Sequence, residues 1–242
     1  MTYHKYKNKR KSNIKSVITT ILILLFAIVS CAVLVSEKKK LRAFDERIFY
    51  FVSAGSSKNI SLLGDKKELL KNLGGANVVY EHKGLSHLIA NVYFEQDSAD
   101  EIKGNISKYF PESSVLKLKS KRVSTKGIRL VKEIEGAEEF VKHVYKLSLE
   151  LYSLQMAYLS GEKSESDFLS DLVDARITLE KKMLNINKTN ELAEKIVANA
   201  ESMCLKMTSF LNGLSISKHK QNYVCNYFVG FCLDYVELFD CL

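Results

Sequence analysis

A chain of 242 residues has room for one or two compact domains, and its balance of apolar and charged residues excludes general disorder. The formal charge of +8 points first to nucleic acid, but Lys5, Lys7, Lys9, Arg10, Lys11 and Lys15 supply +6 before residue 17. The +2 left for everything downstream is no broad electrostatic footprint for DNA or RNA.

From Ser16 to Ser36 the sequence SVITTILILLFAIVSCAVLVS carries no charge. With Val17 to Val35 as the apolar core, a helix would be about 28 Å long, close to the thickness of bilayer hydrocarbon. A buried strand pair is the alternative, but no turn residue interrupts the run and lysine clusters flank it. The expectation is therefore a basic cytoplasmic tail over 1–16 and a single transmembrane helix over 17–36. Lys38, Lys39, Lys40 and Arg42 follow the run, fewer than the six basic residues before it. The positive-inside bias then leaves the N-terminus in the cytoplasm and the remainder outside the cell membrane. Ile28-Val29-Ser30-Cys31 offers a second kind of anchor, because it loosely resembles a bacterial lipobox and would make Cys31 a lipidated N-terminus. Ala32-Val33-Leu34-Val35 continue the apolar run past that cysteine, which favours the uncleaved helix.

After a charged linker over 37–47, strand and helix signals alternate from 48 to 119. Ile48 to Ala54 is apolar, aromatic and β-branched and stops at Gly55, as a strand does. Asp65 and Glu68 mark a helix start, Leu69, Leu70 and Leu73 give it an apolar face, and Gly74-Gly75 ends it. Asn77 to Glu81 and His87 to Phe94 read as strands around a turn at Lys83-Gly84. Asp97 is expected to cap a helix with Ala99, Ile102, Ile106 and Tyr109 at helical spacing, ended by Pro111. Val115 to Leu118 closes a β-α-β-β-α-β order, a small sheet with two helices on one face.

A basic linker over 120–132 follows; with Lys117 and Lys119 before it, it is either solvated or a contact for anionic wall polymer or lipid headgroups. From 133 to 242 the pattern is helical. Val144, Leu147, Leu151, Leu154 and Tyr158 share one stripe. Ser164 and Asp167 resemble a capping box ahead of Leu172, Leu179, Met183 and Ile186. Leu192, Ile196, Ala200, Met203, Met207 and Phe210 form a third helix closed by Gly213, and Tyr223, Tyr227, Phe228, Phe231, Tyr235 and Phe239 a fourth. Short connections favour a bundle of about four helices. The last helix is apolar nearly all round, as a buried helix or a partner face would be. The fold class is α+β: one N-terminal transmembrane helix, a small sheet domain, and an all-α bundle.

Chemistry is sparse. A phosphate loop fails at FYFVSAGSSKN, Phe49 to Asn59, because the next glycine after Gly55 is Gly64 and Asp65 follows it where lysine is needed. His82 and His87 flank the hairpin turn without an acidic or cysteine partner for a metal. Cys204, Cys225, Cys232 and Cys241 lack C-x-x-C spacing and read as buried thiols, with a bridge from Cys204 to the last helix as the alternative. No nucleophile stands beside a base. Neither a cofactor nor catalysis is expected.

The order of parts resembles a SPOR (sporulation-related repeat) domain over residues 48–119. Phe51-Val52-Ser53-Ala54-Gly55-Ser56 resembles its opening strand, and Gly75-Ala76-Asn77-Val78-Val79-Tyr80 its second. Gly84 to Tyr93 is similar to the third, and Asp97-Ser98-Ala99-Asp100-Glu101-Ile102 to the start of its second helix. The sequence departs from the family at Ser53, where glutamine is frequent, and in lacking an arginine on the third strand. The resemblance implies a bacterial protein of cell division or sporulation whose open sheet face binds peptidoglycan glycan strands. Phe51, Ser53, His87, Ile89, Asn91 and Tyr93 share side-chain parity and are the candidate glycan-binding residues. The same parity also fits an ordinary sheet face, or one covered by the bundle. RNA-recognition domains share the topology, but Leu88 to Phe94 lacks their basic-Gly-aromatic pattern. The alternative function is a membrane-anchored scaffold that engages protein partners through its bundle and uses the sheet domain as a spacer.

Overall fold

The computed structural model describes residues 46–120, 135–188 and 191–238. The expected tail, transmembrane helix and Cys31, and nearly all of the basic linker, lie outside these residues. Among the described residues no helix is long and apolar enough to cross a membrane.

The first part folds in the expected order. Strand β1 (Ile48–Ser57) leads through a 3-10 turn (Ile60–Leu63) into helix α1 (Gly64–Asn72). Strands β2 (Val78–His82) and β3 (Leu85–Tyr93), helix α2 (Gln96–Ile106) and strand β4 (Ser114–Lys119) follow. The sheet runs β2-β3-β1-β4 with every neighbouring pair antiparallel. Lys83 and Gly84, both at positive φ, make the two-residue turn between β2 and β3 that matches strand twist.

Two helix starts differ from expectation. Asn59 accepts a hydrogen bond from the Ser61 amide and opens the helical path early, so Asp65 falls inside the first turn of α1. Likewise Glu95 holds the N-cap position of α2, and Asp97 lies in the first turn, where a carboxylate favours the helix dipole without capping.

Four long helices complete the chain: α3 (Glu135–Leu159), α4 (Glu165–Leu184), α5 (Glu191–Leu214) and α6 (Lys220–Glu237). The Ser164 hydroxyl accepts from the Asp167 amide at 3.1 Å and starts α4 as the capping pattern predicts. Each helix packs on two of the others, α3 on α4, α4 on α5, α5 on α6 and α6 back on α3. The described residues of sheet and bundle belong to one compact unit.

The sheet is the middle layer of that unit. On one face Ala54, Leu88 and Ala90 pack with Leu63, Leu70 and Phe110, and Val52 and Tyr93 pack with Ala99 of α2. On the other face Phe49, Phe51, Ile89 and Val92 are fully buried. The Phe49 ring lies 5.5 Å from that of Tyr235 on α6 and 6.1 Å from that of Tyr145 on α3. Phe94 extends this aromatic layer to Tyr145, Tyr152 and Phe228. An amide chain fixes α6 against the loop before β2. Asn222 Nδ2 donates to the Gly75 carbonyl at 2.6 Å, and the Asn77 amide donates to Asn226 Oδ1 at 2.7 Å. Asn226 Nδ2 in turn donates to Asn222 Oδ1. Each bond satisfies a partly buried polar group that would otherwise cost about 1–3 kcal/mol.

Candidate functional site

The face expected to be open is closed, and its residues are divided. Phe51, Ser53 and Ile89 are fully buried and His87 nearly so. The cover is aromatic: Tyr145 of α3 and Tyr235 of α6 pack on Phe49, and Tyr152 and Phe228 pack on Phe94 beside it. The shared parity also fails. The β1–β3 register slips between Val52 and Ser53, where Ala90 is the unpaired residue of β3, and again at Ala54. A one-residue bulge turns all later side chains over. Asn91 therefore pairs with Val52, and Tyr93 packs beside Val52 and Ala99 on the α2 side, while Val92 joins Phe51. Of the polar candidates, Ser53, Asn91 and Tyr93 are committed internally, whereas His87 Nδ1 is buried without a hydrogen-bond partner. Ser53 Oγ donates to the Gly55 carbonyl at 2.9 Å, and Asn91 Nδ2 donates to the Tyr93 hydroxyl at 3.1 Å. Burial pushes the Tyr93 pKa up.

The histidines come together without forming a metal set. The rings of His82 and His87 lie 6.4 Å apart, and burial first, then His82, lowers the His87 pKa. Among the described residues no group of His, Cys, Asp and Glu is arranged to hold a metal ion. Cys204, Cys225 and Cys232 are buried free thiols, so the bridge from Cys204 to the last helix is not formed. Burial pushes Cys204 up to about 11 and Cys225 up to about 12, far from nucleophilic thiolates at neutral pH.

Among the described residues, one accessible concave surface is a groove of about 510 Å³ along the seam of α5 and α6. Its size falls within the usual range for ligand and peptide clefts. The floor is a strip of α6 from Tyr223 through Tyr227 and Gly230 to Asp234, about three helical turns. The wall is α5, where Leu205 stands 69% exposed on the rim. Phe210 is sandwiched at ring separations of 5.2 Å from Tyr223 and 4.2 Å from Tyr227. These stacked rings make one side rigid and apolar. Lys206 and Asp234 close the far end as an ion pair at 2.6 Å. Burial raises the Asp234 pKa, against the opposing hydrogen bond from Lys206.

Two details describe the floor of this groove. A Cβ at Gly230 would meet nothing within 4 Å, so no neighbour in the bundle requires glycine there. Glycine inside a helix costs about 1 kcal/mol against alanine. The Tyr227 hydroxyl is buried and has no hydrogen-bond partner. A second groove, between α3 and α4, holds His143, Glu150, Asp171 and Asp174. There Lys163 pairs with Asp171, and burial followed by Lys182 lowers the His143 pKa.

Sequence reasoning named the last helix as a buried helix or a partner face but did not locate the α5/α6 groove on it. Gly230, inside a continuous apolar helical pattern, is a signal that could have pointed there. No family model, no curated protein and no solved structure matches the chain.

Proposed function

We propose that this protein is a membrane-anchored, non-catalytic scaffold, outside the cell membrane, that docks a helix of a partner protein in the α5/α6 groove. The observation that carries this reading is the division of surfaces: the aromatic face of the sheet is interior, and an accessible apolar concavity lies on the bundle. A floor three turns long with a bare glycine at its centre suits close approach of a second helix. The stacked rings of Phe210, Tyr223 and Tyr227 would supply a rigid anchor surface for the arriving chain. The anchor rests on the uncharged run Ser16–Ser36 and its flanking lysines. Binding of wall glycan through Phe51, His87 and Ile89 would need the bundle to leave the sheet, so the scaffold reading takes precedence.

The test is a photo-crosslinking residue placed at Leu205 of the full chain in its native membranes. A discrete protein adduct is expected, and it should vanish when Gly230→Trp fills the groove. Sedimentation of the intact chain with peptidoglycan sacculi, without any such adduct, would overturn the scaffold in favour of glycan binding.

A further inference from the structure

A second surface is apolar, exposed and unrelated to the groove. Leu63 and Gly64 keep right-handed helical backbone, so the 3-10 turn after β1 runs directly into α1. Leu63 and Leu70, seven residues apart, face the sheet. About 100° round the same helix, Leu62, Lys66, Leu69 and Leu73 recur at helical spacing as another stripe. Leu62 is 68% exposed, Leu73 47% and Leu69 40%, and Ile60 joins them at 57%. Full burial of one leucine is worth about 1.5–3 kcal/mol, so this is a costly face to leave in water. Lys58, Lys66, Lys67 and Lys71 outnumber Asp65 and Glu68 over residues 58–73, which leaves the segment with a net charge of +2.

What covers this face follows from the tether. Nine residues, 37–45, separate the uncharged run from Glu46. Whatever their conformation, they reach no further than about 32 Å, roughly the width of a small domain. If Ser16–Ser36 crosses a bilayer, the folded unit stays within that reach of the bilayer surface. We infer that the 3-10 turn and α1 lie on the membrane, with Ile60, Leu62, Leu69 and Leu73 entering the boundary between headgroups and acyl chains. Lys66 is paired with Glu112 and Lys71 with Glu68, so Lys58 and Lys67 are the lysines offered to anionic phosphates, each worth about 1 kcal/mol near such a surface. Asp97, Asp100 and Glu101 on neighbouring α2 are exposed too, and they keep that helix turned away from an anionic surface. Sugars are a poor alternative, since a leucine stripe offers them no hydrogen bond. The inference rests on the anchor in the proposed function and not on the groove.

The chain contains no tryptophan, so a single introduced one reports without background. The experiment reconstitutes full-length Leu62→Trp, Leu69→Trp and, as comparator, Leu184→Trp, in vesicles of phosphatidylcholine and phosphatidylglycerol with brominated acyl chains. Leu184 is 77% exposed at the end of α4, away from the stripe in sequence. The expected result is blue-shifted emission quenched severalfold at positions 62 and 69 but not at 184. Omitting phosphatidylglycerol, or changing Lys58 and Lys67 to glutamate, should weaken the quenching. Equal quenching at all three positions in chains that float with the vesicles overturns the inference while leaving the anchor intact. Blue-shifted emission without bromine quenching overturns it in favour of a protein contact. Chains that fail to float after an alkaline wash remove the anchor and this inference together.

Discussion

The two faces of the sheet are both covered, but by different chemistry and to different depths. Under α1 and α2 the sheet offers mostly small aliphatic residues, Val52, Ala54, Leu88 and Ala90, and the 3-10 turn, α1 and its C-cap leave Leu62, Leu69 and Leu73 exposed above them. Under α3 and α6 it offers Phe49, Phe51, Ile89 and Val92, none of which reaches solvent, with ring-to-ring contacts crossing the interface. The lesson is that the heavier cover comes from the distant part of the chain and the lighter one from the helices nearest in sequence. The sheet is not a module with a bundle appended. Its Phe49 packs directly on Tyr145 and Tyr235 of the bundle.

That contrast can be broken most directly at Phe51. Phe51→Ala should cost about 3–5 kcal/mol, whereas Leu70→Ala beneath loosely held α1 should fall at the low end of about 2–5 kcal/mol. Urea unfolding followed by circular dichroism should show one transition for sheet and bundle together. Two separated transitions, or equal losses for the two variants, would contradict the shared core. A smaller effect is expected at the polar seam. Asn222→Ala strands the Gly75 carbonyl and leaves Asn226 Nδ2 without its acceptor, at a cost of about 1–3 kcal/mol. Faster amide exchange at Ala76 and Asn77 than in the α5 core would locate the damage at that loop. The smallest effect is in pH. Burial holds the His87 and His143 pKa values below 6.5, so the unfolded chain binds protons more readily than the folded one. Stability should then be fullest above about pH 6.5 and fall as the pH drops toward the folded values. The melting temperature should decline with acidity, and His87→Gln should flatten the slope; an unchanged slope would show that His87 is not the group responsible.

Much of the fold was legible from residues alone. The β-α-β-β-α-β order, the Lys83-Gly84 turn and the Ser164 cap all rest on local rules, and local geometry obeyed them. The site was not legible, for two physical reasons. Parity along β3 was read as continuous, but an unpaired Ala90 breaks it, and nothing in Leu88-Ile89-Ala90-Asn91 announces a bulge. The destination of an aromatic face is also a tertiary question. Phe49 and Phe51 suit a sugar-binding platform and a buried interface equally well, until Tyr235, some 180 residues on, settles which. Gly230 was visible, yet only the empty space above it distinguishes a docking floor from a tolerated weak point in a helix.

The pairing of Phe49 with Tyr235 also bears on how the chain must be made. A ribosome delivers β1 well before α6, so the strand waits through the synthesis of the residues between them before its cover exists. Through that interval a half-finished product carries a bare row of rings on a sheet whose other elements can already assemble, the kind of surface that drives aggregation or recruits chaperones. Contacts so far apart in sequence also slow the final closure, because the intervening loop must be ordered first. A product stopped short of Phe228 keeps the row bare for good, and quality control would meet it as a sticky, persistent sheet rather than as a shortened scaffold.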